Sequence, residues 1–161
     1  MKEIVFVCTG NTCRSPMAEG LLSAALPSFW KREIAVSSAG TSAWEGQPAS
    51  DGAVEALGEI GIDISAHRAR MLTCEIVAGA ALVVALARCH RAVALELAPE
   101  AAERVLVIGE LEPGRSDPDV RDPIGGGIDI YRQVRDDVER LVGLLLPHLA
   151  RRFDLVRGDN G

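Results

Sequence analysis

The chain has 161 residues, of which 48% are hydrophobic and 25% charged, enough for one domain with its own core and unlike disordered or fibrous compositions. A net charge of -6 argues against a broad electrostatic grip on nucleic acid, so any anion site has to be local. No run approaches the roughly 18 apolar residues of a membrane span, Met1–Val7 lacks the layout of a secretory signal, and four cysteines without a close-set CxxC pair fit a reducing cytoplasm better than a zinc site or disulfide scaffold.

In chain order, Ile4-Val5-Phe6-Val7 is a β-prone apolar run, as expected of a strand buried on both faces, and it runs into a loop holding Gly10. Ser15 suits a helix N-cap and Pro16 the first helical position; Met17, Leu21, Leu22, Ala25 and Leu26 then repeat at helical spacing up to Pro27. Ile34-Ala35-Val36 reads as a second strand, and Val54, Leu57 and Ile60 mark a helix closed by Gly61. Ala81–Leu86 is a third, wholly apolar strand. Val93, Leu95 and Leu97 lie in a helix ended near Pro99, and Val105–Ile108 supplies a fourth strand. A polar loop over 109–127 precedes an amphipathic helix marked by Ile130, Val134, Val138, Leu141, Leu145 and Leu149, which Pro147 is expected to kink or shorten.

Alternating strands and helices predict an α/β fold: a single three-layer domain with a four-stranded parallel sheet flanked by helices on both faces. The domain is expected over 1–154, with 155–161 a flexible tail. In such sheets ligands sit outside the carboxyl ends of the strands, which is where Cys8 falls.

A loop between a buried strand and a helix N-terminus aims backbone N–H groups and the positive end of the helix dipole at one spot. Thr9, Gly10, Asn11, Thr12, Cys13, Arg14 and Ser15 would line that spot, with Arg14 returning a planar fork of donors to it. Both influences favour a thiolate at Cys8, a nucleophile at neutral pH. Gly10 lets the backbone approach the ligand, Asn11 tolerates left-handed geometry, and Ser15 can hydrogen-bond the sulfur. A thiolate aimed at a phosphoryl group needs an acid for the leaving group and a base for water. Asp122, before Pro123 in the loop after the fourth strand, is the best candidate for both.

Each feature has an ordinary alternative. Cys8 alone reads as a buried strand-end thiol, Arg14 as a surface cation and Asp122 as a turn carboxylate before proline; their combination weighs against all three. His90 and His148 carry no signal, and Cys74 and Cys89 read as small core or surface thiols.

The run Val7-Cys8-Thr9-Gly10-Asn11-Thr12-Cys13-Arg14-Ser15-Pro16-Met17-Ala18-Glu19, with Asp122-Pro123, Ser38-Ala39-Gly40-Thr41 and His67-Arg68-Ala69-Arg70, resembles the low-molecular-weight protein tyrosine phosphatases, including their bacterial protein arginine phosphatase branch. The resemblance implies no metal or other cofactor, Cys8 as nucleophile, Arg14 as phosphate clamp and Asp122 as general acid. It also implies a bracing hydrogen-bond network of Asn11, Ser15, Ser38 and His67, and phosphorylated proteins as substrates. Cys13, sharing a tight loop with Cys8, is a candidate to trap the oxidised nucleophile as a disulfide, which the resemblance supports.

Thr12 and Gly125-Gly126 resemble the arginine branch, whereas tyrosine phosphatases of the family usually have a longer aliphatic residue at the first position and tyrosines after the Asp-Pro pair. Ile124 departs from the aromatic common in the arginine branch, and Trp44 is a candidate to replace its stacking contact. A tyrosine phosphatase is the alternative. An arsenate reductase on this fold would need a resolving cysteine pair where the chain has Ala87, and Cys89 alone does not supply it.

Overall fold

Lys2–Cys8 forms the first strand, β1, and every residue from Ile4 to Cys8 is buried in the computed structural model, which describes residues 1–155. Successive side chains leave on opposite faces: Ile4, Phe6 and Cys8 enter one apolar cluster, Val5 and Val7 another. A strand covered on both sides has to be apolar throughout. Helix α1 (Arg14–Ala25) follows, then β2 (Ile34–Gly40), α2 (Asp51–Gly58) and α3 (Cys74–Gly79). The second half of the chain supplies β3 (Leu82–Ala85), α4 (Arg88–Leu97), β4 (Val105–Val107) and α5 (Ile128–Arg152). The sheet is parallel, in the order β2-β1-β3-β4.

Helices α1, α2 and α5 cover one face, placing Met17, Leu22, Leu57, Leu141 and Leu145 against Phe6 and Val84. Val77 of α3 and Ala94 of α4 cover the other against Val5, Val7 and Val83. Each of the larger of these side chains, Val, Leu, Met or Phe, contributes on the order of 1.5–3 kcal/mol by leaving water.

The structure departs from the sequence reading in several places. β2 continues beyond Val36 to Gly40, paired with Cys8. It is an edge strand, and its serines are satisfied: Ser37 donates to Glu3 Oε1 (2.7 Å) and Ser38 to Glu19 Oε2 (2.5 Å). α2, capped by Ser50 Oγ accepting from Ala53 N–H, ends at Gly58, ahead of Ile60 and Gly61. α3 is too short for a helical period to show, and Thr73 caps it through Ile76 N–H. α5 is not shortened by Pro147, because Leu145 and Leu149, both fully buried, hold it to the core on either side. Leu155, assigned to the tail, packs into the core at 7% exposure, and the rest of that tail lies outside the described residues.

The loops after β1, β3 and β4 gather at one sheet edge. The last is moored twice: Arg115 makes a bidentate pair with Asp137 of α5 (2.8 Å each), and Asp119 accepts from Arg88 N–H at the start of α4 (2.8 Å).

Candidate active site

Between Cys8 and α1 the chain turns through Asn11, whose φ of 56° lies in the left-handed region that asparagine tolerates. Gly40 of β2 permits this: a Cβ there would come within 2.5 Å of the Thr9 carbonyl oxygen and 3.0 Å of Asn11 Cβ. Ser42 and Ser50 N–H groups donate to the Thr9 and Thr12 carbonyls at 2.9 Å, fixing the loop from outside.

Ser15 does not cap α1. The helix starts two residues earlier than the Ser15–Pro16 pair suggested, with Cys13 in the cap position and no side-chain cap bond. The Ser15 hydroxyl is occupied elsewhere, 2.9 Å from Cys8 Sγ and accepting from Asn11 Nδ2 at 2.8 Å. Since Asn11 supplies that proton, the hydroxyl's own hydrogen is free for the sulfur. Asn11 Nδ2 also donates to Ser38 Oγ (2.9 Å), and its Oδ1 accepts from Arg70 N–H (3.0 Å), which sets the orientation of the amide. His67 Nε2 lies 2.7 Å from the Asn11 carbonyl, an acceptor, so Nε2 carries the proton; its Nδ1 faces Glu19 at 3.8 Å. The structure therefore brings Asn11, Ser15, Ser38 and His67 into one network behind the thiol, anchored on Glu19.

Arg14 is buried, donating to the Val120 carbonyl (3.1 Å) with Nη2 3.4 Å from Asp122 Oδ2. Asp122 is 44% exposed and folds over the loop, its Oδ1 accepting from Ile124 N–H. Cys8, Thr9, Gly10, Thr12, Cys13, Arg14, Asp122 and Ile124 together line a cleft of about 120 Å³. A larger cavity of about 570 Å³ lies behind the loop beside Glu19 and His67 and does not contain the thiol.

Three contacts have no counterpart in the sequence reading. His90 Nε2 lies 2.9 Å from Thr9 Oγ1, while Cys13 Sγ faces Ser50 Oγ (3.2 Å) and Tyr131 OH (3.4 Å). Burial, then the hydrogen bond with Cys13, raises the Tyr131 pKa, keeping the phenol protonated. Burial, reinforced by the Arg14 charge against Asp119 and Asp122, holds His90 down at about 4, from 6.5.

That depression has a consequence for stability. Below pH 6.5 the unfolded chain takes up a proton that native His90 refuses until about pH 4. The contribution is complete above pH 6.5 and lost as pH falls through that window, up to roughly 3 kcal/mol. Urea unfolding at pH 7 and 4.5 should show a steeper loss for wild type than for His90→Gln; equal losses would contradict the burial effect.

A profile described as low molecular weight phosphotyrosine protein phosphatase matches residues 3–155. The chain belongs to this family. Among curated relatives, a protein-arginine-phosphatase of Geobacillus stearothermophilus is 42% identical over 91% of this phosphatase and 95% of its own length. A probable low molecular weight protein-tyrosine-phosphatase, EpsP, of Ralstonia nicotianae is 34% identical over 92% and 97%. The solved YwlE arginine phosphatase, a cysteine-to-serine mutant whose active-site serine is phosphorylated, superposes with a TM-score of 0.82 at 39% identity, covering 92% of this chain and 96% of its own.

On this phosphatase, Thr12 and Ile124 stand at the mouth of the cleft, Ile124 at 69% exposure. Trp44 is 80% exposed, two residues after Ser42, whose N–H donates to the Thr9 carbonyl of the thiol loop, and it is not among the residues lining the cleft. Cys89 is exposed on α4 and is not among the residues lining the cleft. Among the described residues, no helix is long and apolar enough to cross a membrane.

Proposed function

We propose that this phosphatase removes the phosphoryl group from phosphoarginine side chains of cytoplasmic proteins, through a phosphocysteine at Cys8. The observation that carries the reading is the cleft itself, where Cys8, Arg14 and Asp122 converge and Thr12 lines the wall.

Cys8 sulfur attacks phosphorus as the P–N bond breaks. Asp122 donates its proton to the departing guanidine nitrogen, and Arg14 with the loop N–H groups holds the equatorial oxygens. Water then attacks the phosphocysteine, Asp122 takes a proton from it, and the S–P bond breaks to release inorganic phosphate. Ser15, at 2.9 Å from the sulfur, stabilises the leaving thiolate. Asp122 suits a guanidinium doubly, as ion-pair partner and as acid. Cys13 shares the cleft with Cys8, and after a peroxide oxidises Cys8 to the sulfenic acid, the Cys13 thiol condenses with it and expels water.

Similarity to protein-arginine-phosphatases above 40% identity supports this substrate. Similarity to EpsP at 34% supports phosphotyrosine as the second reading. Phosphoarginine and phosphotyrosine peptides separate them. Thr12→Ile replaces a hydroxyl able to accept from a guanidinium N–H with an apolar wall, so it should lower activity on phosphoarginine and raise it on phosphotyrosine, by 10-fold or more in the ratio (about 1.4 kcal/mol). A wild-type preference for phosphotyrosine, or an unchanged ratio in the variant, would pass the assignment to the tyrosine reading.

A further inference from the structure

His90 is 1% exposed, and neither the network behind the thiol nor the Asp122 acid uses it. It stands in the first turn of α4, with Nε2 2.9 Å from Thr9 Oγ1 and Nδ1 buried without a hydrogen-bond partner. Thr9 itself is exposed and lines the cleft beside Cys8. Its hydroxyl therefore joins a buried imidazole to the space where the phosphoryl group reacts. We propose that His90 is a positioning residue that makes the Thr9 hydroxyl a fixed hydrogen-bond donor to the bound phosphoryl group. This rests on the phosphatase reading above.

A neutral imidazole has one N–H and one bare nitrogen, and a hydroxyl has one hydrogen and two lone pairs. Burial with Arg14 nearby keeps His90 neutral at pH 7, which leaves two arrangements. In one, Thr9 donates to Nε2. An Nδ1–H is then buried without an acceptor, and only lone pairs of Thr9 face the cleft, against an acceptor-only phosphoryl dianion. In the other, Nε2–H donates to Thr9 Oγ1, the unpartnered atom is a bare nitrogen, and the Thr9 hydrogen is free to point at a phosphoryl oxygen. The second arrangement removes a buried orphan N–H, which proteins seldom keep. It also supplies a donor where transition-state charge collects on phosphorus-bound oxygen. The imidazole sits on an element tied to the loop of Asp122 through Arg88 and Asp119, so the donor is set before substrate enters.

Five variants and one spectrum test the assignment. Thr9→Val should lower kcat/KM about 10- to 100-fold and weaken binding of inorganic phosphate, while Thr9→Ser recovers most of both. His90→Phe should match Thr9→Val, and His90→Gln, which keeps an N–H on a side chain that can reach Thr9, should lie between it and wild type. The Thr9→Val/His90→Phe double variant should be no worse than the poorer single one, because both remove the same donor. Nitrogen NMR of the wild-type imidazole should find the proton on Nε2. Full activity in Thr9→Val, additive losses in the double variant, or a proton on Nδ1 would overturn the proposal. A wild type that binds phosphate but hydrolyses no phosphorylated peptide would overturn the phosphatase reading instead, leaving phosphate affinity and the spectrum to decide the Thr9–His90 pair.

Discussion

Cys8→Ser is expected to lose turnover by roughly 10⁴-fold or more while still binding inorganic phosphate or vanadate. Serine oxygen at its ordinary pKa is a far weaker nucleophile than a thiolate, and its hydrogen-bond neighbour, the Ser15 hydroxyl at 2.9 Å and held by Asn11, is no base; Asp122 has to carry its proton to the leaving group in this step. The anion cradle proposed above, by contrast, consists of loop backbone and the buried Arg14, neither of which the substitution touches. The loop is braced by the Asn11 amide, the His67–Asn11 carbonyl contact and the Ser42 and Ser50 N–H groups, so the variant should fold and keep its phosphate affinity within a small factor. Steady-state kinetics on a phosphorylated peptide, with phosphate titrated as a competitive ligand, separates the two effects. Substantial turnover would refute covalent catalysis; loss of phosphate binding together with turnover would refute the cradle.

Much of this site could be read before any coordinates, because its core is local. Cys8 to Ser15 is one continuous strand-loop-helix segment, and the chemistry of a thiol, a glycine and an arginine at a helix N-terminus does not depend on distant residues. Asp122 was legible for a different reason: parallel α/β topology sends the loop after β4 to the same sheet edge. The remainder lies in long-range contacts that leave no trace in spacing. His90 meets Thr9 across 81 positions and Tyr131 meets Cys13 across 118, and neither residue differs in its local pattern from an ordinary helical one. Ser15 shows a conflict between levels. It is a good cap by local propensity, but the sulfur and Asn11 claim its hydroxyl, and the helix starts without a side-chain cap. Trp44 could be named only as one of few aromatics able to replace the ring missing at Ile124; where it stands, 80% exposed on a segment tied to the thiol loop through Ser42 N–H and the Thr9 carbonyl, is set by contacts that no spacing announces.

Asp122→Asn should have the next largest effect, and its size should depend on the leaving group. The side chain sits 3.4 Å from Arg14 and is oriented by Ile124 N–H donating to Oδ1. An asparagine amide fills nearly the same volume and can keep that contact, so the cleft should hold its shape. What is lost is the proton. Expelling the guanidine of phosphoarginine requires protonation of nitrogen, and removing a positioned general acid lowers such a step by about 10²–10⁴-fold. A nitrophenyl phosphate leaves as a stabilised anion and needs no proton, so formation of the phosphocysteine from it should slow far less. The second step still needs a base to activate water, and asparagine supplies none. Rapid mixing of the variant with nitrophenyl phosphate should therefore give a burst of nitrophenolate close to one per enzyme, followed by slow turnover, with phosphocysteine accumulating. Equal loss on both substrates without a burst would show that Asp122 acts by holding Arg14 rather than by moving protons. A variant as fast as wild type on the phosphoarginine peptide would require another acid at the cleft, where no other lining residue carries one.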